Sequence, residues 1–147
     1  MDQFYRNGTI LMVDDDLDDF FLARDAFRKI GIPSDFELVA DGEELMDYLT
    51  RRGKFLSLQN SPLPILILLD LNMPKKDGRE ALAEVKKDPD FRQIPIVVFT
   101  NSKEDKDISY CYDLGANSYI TKPATFDALV EVMRNLGEYW LKVVRLP

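Results

Sequence analysis

Ile10-Leu11-Met12-Val13-Asp14-Asp15-Asp16-Leu17-Asp18-Asp19 is the stretch that decides the fold of this chain. A short apolar run that ends in acid reads as a buried strand whose last residues emerge at one rim of a sheet. Carboxylates this close repel one another, which raises their pKa values unless positive charge sits among them. A hard cation that takes oxygen ligands, such as Mg²⁺, relieves the repulsion most simply. Ile65-Leu66-Ile67-Leu68-Leu69-Asp70 repeats the pattern with a single terminal acid. Two strands delivering acids to one rim make a pocket for a divalent metal and a phosphate.

Working outward, apolar runs of β type fall at residues 9–13, 35–39, 65–69, 96–99 and 117–120. Segments of helical period lie between them. In 17–30 the residues Leu17, Phe20, Phe21, Ala23, Phe27 and Ile30 recur near every 3.6 positions, and Gly31-Ile32-Pro33 stops the helix. Asp41-Gly42 opens a second helix through Leu45, Met46, Tyr48 and Leu49. Residues 78–87 read as a third, with Ala81, Leu82 and Val85 inward, and 103–114 as a fourth closed by Gly115. The stretch 51–64, with Gly53, Pro62 and Pro64, reads as a long surface loop. Strands alternating with helices predict an α/β fold with a parallel sheet and right-handed crossovers. Such sheets bind ligands beyond the carboxyl ends of their strands, where these acids sit.

The 147 residues suit one domain. We expect it to occupy residues 8–147, including a C-terminal helical extension, with 1–7 as a flexible N-terminus. A net charge of −7 and the lack of a basic stripe argue against nucleic acid as a partner. One cysteine, Cys111, excludes an internal disulfide, fits a reducing compartment and reads as a small buried apolar side chain. No apolar run is long enough to span a membrane, so a cytoplasmic protein is expected.

Two more strand ends carry chemistry: Ile96-Val97-Val98-Phe99 runs into Thr100, and Tyr119-Ile120-Thr121 into Lys122-Pro123. If the strands share one direction, one rim presents Asp14, Asp15, Asp70, Thr100 and Lys122. A carboxylate can attack phosphorus, a metal can bridge it to the incoming phosphate, and a hydroxyl and an ammonium can hold the remaining oxygens. Taken singly, none is specific. An Asp at a strand end is more often a cap or turn former, a terminal Thr is ordinary β composition, and a Lys before Pro is usually solvated. Asp16, Asp18 and Asp19 read as caps or flanks of the first helix. The order and spacing of all five residues together carry the argument.

At this point the sequence resembles the receiver domain of bacterial two-component response regulators over about 9–136. The resemblance rests on Val13-Asp14-Asp15-Asp16, on Leu69-Asp70-Leu71-Asn72-Met73-Pro74 with Asp77-Gly78, on Phe99-Thr100-Asn101-Ser102, and on Gly115-Ala116-Asn117 before Tyr119-Ile120-Thr121-Lys122-Pro123. It implies a flavodoxin-like, doubly wound five-stranded parallel sheet in the order 2-1-3-4-5. It implies that Asp70 is the phosphoacceptor. Asp15 and Asp70 would ligate Mg²⁺ directly with the backbone carbonyl of Asn72, and Asp14 mostly through water. Thr100 and Lys122 would bind phosphoryl oxygens, Thr100 and Tyr119 would form a switch, and the Lys122–Pro123 bond would be cis. The 51–64 loop, Lys75-Lys76-Asp77-Gly78-Arg79-Glu80 and the Tyr139-Trp140-Leu141 to Leu146-Pro147 ending are similar to stand-alone regulators paired with phytochrome-type histidine kinases.

The expected function is therefore a single-domain response regulator, a phosphoprotein that takes a phosphoryl group from a histidine kinase and signals through protein contacts. It would assist its own phosphorylation and dephosphorylation without acting as an enzyme on other substrates. The chain has no histidine, so a phosphohistidine donor must be another protein or domain, and too few residues follow for an output domain. Asn101 stands where the family mostly has a small residue, which implies an altered phosphoryl lifetime. Phe126, Leu129, Val130, Met133, Leu136, Trp140, Val143 and Val144 share one face of the last helix, which Gly137 could kink. An exposed end carrying Trp140, Leu141, Val143 and Val144 would support a homodimer, the alternative being a tail folded back on its own domain. Two competing functions remain at this level. One is a haloacid dehalogenase-type Mg²⁺ phosphatase, which usually has an acid where Asn72 stands. The other is an unphosphorylated binding module.

Overall fold

Alternation along the strands fills two separate cores. In β1 (Thr9–Val13) Ile10 and Met12 face one side of the sheet and Leu11 and Val13 the other. β2 (Asp35–Val39), β3 (Leu66–Leu69), β4 (Ile96–Thr100) and β5 (Ser118–Thr121) complete a parallel sheet in the order β2-β1-β3-β4-β5. Burial on both faces explains why β1, β3 and β4 read as nearly unbroken apolar runs. This computed structural model describes residues 5–147.

The first core sets Phe20, Ala23, Ala26 and Phe27 of α1 (Leu17–Lys29) and Leu129, Val130, Met133 and Leu136 of α5 (Phe126–Glu138) against Ile10, Met12, Leu66, Leu68, Val97 and Phe99. The second packs α2 (Gly42–Thr50), α3 (Gly78–Lys87) and Cys111 of α4 (Asp105–Leu114) on the opposite face. Side-chain caps define the helix starts: Asp16 for α1, Asp41 for α2, a reciprocal Asp77–Glu80 box for α3 and Thr125 for α5.

Several expectations change in detail. Leu17 and Phe21, read as part of the inward stripe of α1, are exposed, because Phe20, Ala23, Ala26 and Phe27 already fill the contact with the sheet. Residues 51–64 are not plain loop: a 3-10 turn covers Gly53–Leu58. Arg51 anchors it from a left-handed conformation (φ 59°), donating to the carbonyls of Tyr48, Ser61 and Pro62 at 2.8, 3.2 and 2.9 Å. The Lys122–Pro123 bond, expected cis, is trans like every peptide bond among the described residues; proline lowers the cis penalty without removing it.

The C-terminal segment folds back on its own domain. After α5 a π-helical turn, Tyr139–Val143, drives Leu141 fully into the first core instead of leaving it exposed. Gly137 does not break α5. A side chain there would collide with the tip of Ile32, so glycine lets the helix approach the α1–β2 connection. Tyr139 and Val143 remain exposed. Residues 1–4, part of the stretch 1–7 expected to be flexible, lie outside the described residues. Tyr5 donates to Glu138 at 2.6 Å, and the Arg6 side chain donates to the carbonyls of Trp140 and Val144.

Candidate functional site

Parallel pairing brings the carboxyl ends of β1, β3, β4 and β5 to one rim. Strand order reverses between β1 and β3, so Asp14 and Asp70 flank the switch point of the sheet. Backbone hydrogen bonds seat each residue: Asp14 N–H to Val39 at 3.0 Å, Asp70 N–H to Val13 at 3.0 Å, and Lys122 N–H to Thr100 at 2.8 Å. Asp15, Asp16, Asp19, Asp70, Asn72, Asn101 and Lys122 line a cleft of about 220 Å³.

Oxygens from Asp14, Asp15 and Asp70 lie within 4.8 Å of one another. An octahedral hard cation with metal–oxygen distances near 2.1 Å sets its ligands about 3 to 4.2 Å apart, so an all-oxygen set gathered within 4.8 Å could hold such an ion after a small closure. The three acids are not equivalent. Both Asp14 oxygens are engaged, Oδ1 by the Asp16 N–H at 2.9 Å and Oδ2 by Lys122 Nζ at 2.7 Å. Asp70 Oδ1 accepts the Leu71 N–H at 2.8 Å, while Oδ2 faces Lys122 Nζ at 3.6 Å. Asp15 is exposed, at the mouth.

Charge and burial oppose each other here. Burial pushes the Asp14 carboxyl up to about 6, only partly countered by its hydrogen bond from Lys122. Burial also disfavours the Lys122 charge, but hydrogen bonds to Asp14 and Asp19 outweigh it and hold the ammonium above its ordinary pKa. Thr100 is fully buried, and its Oγ1 has no hydrogen-bond partner among the described residues. A buried hydroxyl left unpaired is rare in native proteins and calls for a structural or functional reason.

A polar cluster joins Tyr119 to Ser102, Asp107 and Arg79, and of these the sequence singles out only Tyr119. Arg79 of α3 grips Asp107 Oδ1 of α4 through Nε at 3.2 Å and Nη2 at 2.8 Å. Ser102 donates to the other Asp107 oxygen at 2.6 Å, and the half-buried Tyr119 hydroxyl donates to the Ser102 carbonyl at 3.0 Å. The Ser102 hydroxyl, then Arg79, hold the Asp107 carboxyl below its usual range. No local spacing links Arg79 to Asp107, so nothing in the sequence pattern marks the pair. Asp19 flanks the first turn of α1 as expected, with Asp16 as the cap, but its side chain has a second role that the sequence does not show: it accepts a hydrogen bond from Lys122 at 2.7 Å.

A family model for the response regulator receiver domain matches residues 10–134. The chain belongs to that family. Response regulator Rcp1 of Synechocystis is 40% identical over 138 residues, 94% of this chain and 92% of its own length. Probable methanogenesis regulatory protein FilR2 of Methanothrix harundinacea is 36% identical over 138 residues, 94% of this chain and 86% of its own. The crystal structure of the phosphorylated cyanobacterial phytochrome response regulator RcpA superposes with a TM-score of 0.88 at 42% identity, covering 97% of this chain and 99% of that one. The Mn²⁺-bound form of Rcp1 gives 0.85 at 39% identity, covering 95% and 99%. The flavodoxin-like receiver architecture is thus shared with response regulators of the phytochrome-associated type, and phosphorylation on aspartate is typical of the family. Receiver domains bind a divalent metal at an acidic pocket, and this receiver carries such an acidic cluster. No helix among the described residues is long and apolar enough to cross a membrane.

Proposed function

We propose that Asp70 accepts a phosphoryl group from a phosphohistidine on a sensor histidine kinase and that other proteins read the altered surface. The state of one atom carries this reading: Asp70 Oδ2 faces the largely covered Lys122 ammonium at 3.6 Å while its sister oxygen is tied down. Attack of Oδ2 on phosphorus forms an acyl phosphate as the nitrogen–phosphorus bond breaks, and that electron pair returns to the imidazole. Lys122 and the unpartnered Thr100 hydroxyl take the phosphoryl oxygens. Asp15, Asp70 and the backbone carbonyl of Asn72 would hold Mg²⁺, with Asp14, whose oxygens accept from the Asp16 N–H and Lys122, acting mostly through water. Bound there, the ion supplies positive charge that offsets repulsion between carboxylate and phosphate. Thr100 and Tyr119, joined through the segment that holds Ser102, form the switch toward the α4–β5–α5 face.

The similarity to RcpA and Rcp1 supports a phytochrome-type kinase as donor. The single buried cysteine supports a cytoplasmic setting, and the charge of −7 supports protein rather than nucleic-acid partners. The domain serves its own phosphorylation and dephosphorylation and does not turn over a separate substrate. A homodimer through the C-terminal region is supported by an apolar groove of about 710 Å³ between β5 and α5, with Ile120, Val132, Leu136, Tyr139 and Trp140 in its walls. Sedimentation of Tyr139→Glu should then give a monomer where the parent gives a dimer.

The deciding experiment treats the protein with a phosphoramidate and Mg²⁺ and weighs it intact. One added phosphoryl group, lost in Asp70→Asn, is expected. Unmodified protein, or sustained hydrolysis of generic phosphate esters, would overturn the reading. Phosphotransfer from a panel of histidine kinases that includes a phytochrome identifies the donor.

A further inference from the structure

Lys122 Nζ donates to Asp14 Oδ2 and Asp19 Oδ2, each at 2.7 Å, and lies 3.6 Å from Asp70 Oδ2. An ammonium has three donors in tetrahedral array. Two are taken by carboxylates from different elements, Asp14 at the end of β1 and Asp19 in the first turn of α1. The direction of the third N–H follows from the other two. It is left to the Asp70 side, where Asp70 Oδ2 at 3.6 Å lies just beyond hydrogen-bond distance; among the described residues only the two oxygens already engaged hydrogen-bond to Nζ. A lysine held by Asp14 alone would keep rotational freedom along a flexible four-carbon stem. With both acids it has one orientation.

Asp19 is itself held. The Asp16 cap accepts the Asp18 and Asp19 backbone N–H groups at 2.9 and 3.2 Å, which fixes the turn that carries it. The lysine side chain is 9% exposed and that of Asp19 31%, so this bond closes the site on its α1 side. The geometry points to Asp19 as a positioning residue: it aims the free N–H of Lys122 at the place an oxygen of the Asp70 phosphoryl group occupies. This inference rests on the proposed phosphorylation of Asp70.

The test compares two ligands of the intact protein by calorimetry, fluoroberyllate with saturating Mg²⁺ as a phosphoryl mimic, and Mg²⁺ alone. In Asp19→Ala, fluoroberyllate affinity should fall about tenfold, the scale of one charge-assisted hydrogen bond, while Mg²⁺ affinity changes less than about threefold. Asp19→Asn keeps an acceptor oxygen and should recover most of the loss. Unchanged or tighter fluoroberyllate binding in Asp19→Ala overturns the proposal, the latter showing that Asp19 competes for the lysine. So does a parallel loss of Mg²⁺ affinity, or an Asn variant as weak as Ala. A parent protein that binds Mg²⁺ but not fluoroberyllate would instead sink the phosphorylation of Asp70 on which the inference stands.

Discussion

Thr100→Val separates stability from function at a single atom. The parent residue ends a central strand, paired with Thr121 of β5, and is wholly buried with its hydroxyl unpartnered. A buried polar group without a partner costs about 1–3 kcal/mol. Valine keeps the β-branch and nearly the same volume, so neither a cavity nor a change of strand propensity accompanies the loss of the oxygen. We therefore expect the metal-free variant to be about 1 kcal/mol more stable in urea unfolding, with its melting temperature raised by roughly 2–4 °C. The same change removes one ligand of the phosphoryl group, so fluoroberyllate should bind at least about tenfold more weakly in the presence of Mg²⁺. Chelator-treated protein measured in urea, and Mg²⁺-saturated protein measured by calorimetry, read the two effects independently. Thr100→Ala is a poorer probe because it also deletes a buried methyl group. A destabilised Thr100→Val would mean that the hydroxyl has a partner after all. Undiminished fluoroberyllate affinity would remove Thr100 from the phosphoryl site.

Other perturbations probe the scaffold around the site. In Gly78→Ala the new Cβ would meet the Asp70 carbonyl and stand 2.7 Å from Leu71 Cα, so backbone must move; we expect about 3 kcal/mol of destabilisation and weaker Mg²⁺ binding in parallel titrations. Gly31→Ala serves as its control: φ is +76° but nothing lies within 4 Å, so about 1 kcal/mol and no change in Mg²⁺ binding is expected. The Asp14 carboxyl, raised by burial to about 6, binds its proton more tightly folded than unfolded. Its contribution to stability is complete below the unfolded value near 3.8 and is lost as pH rises through about 6. Metal-free protein should gain about 1 kcal/mol between pH 7 and pH 5, and Asp14→Asn should lack that gain in the same urea series. Arg51→Ala should cost about 2 kcal/mol in urea by releasing the carbonyls of Tyr48, Ser61 and Pro62, yet leave phosphorylation by a phosphoramidate intact. Asn101 lines the cleft beside Asp70, so Asn101→Ala should change the dephosphorylation rate, and equal rates would exclude it from control of the acyl phosphate.

What the sequence reveals and what it hides divide along a physical line. Each of the five strands begins and ends within one residue of its expected bounds, and for β1, β3 and β4 the reason is that a strand buried on both faces must be apolar along its length and must stop where polar residues begin. The convergence of Asp14, Asp70, Thr100 and Lys122 then follows from parallel topology, without knowledge of any single contact. Polar pairing obeys no such period. Arg79 and Asp107 come from different helices 28 positions apart, and any exposed arginine and aspartate would look the same in the sequence. Leu141 hides for a related reason: an apolar residue in a tail reads alike whether it enters its own core or a neighbour's, and only the π-helical turn decides. Asp19 is the sharpest case, since an acid in the first turn of a helix already has a sufficient local explanation in the helix dipole. Local sufficiency conceals a second role wherever one residue type serves both. The residues hardest to recognise in a receiver are therefore those whose chemistry coincides with ordinary helix capping.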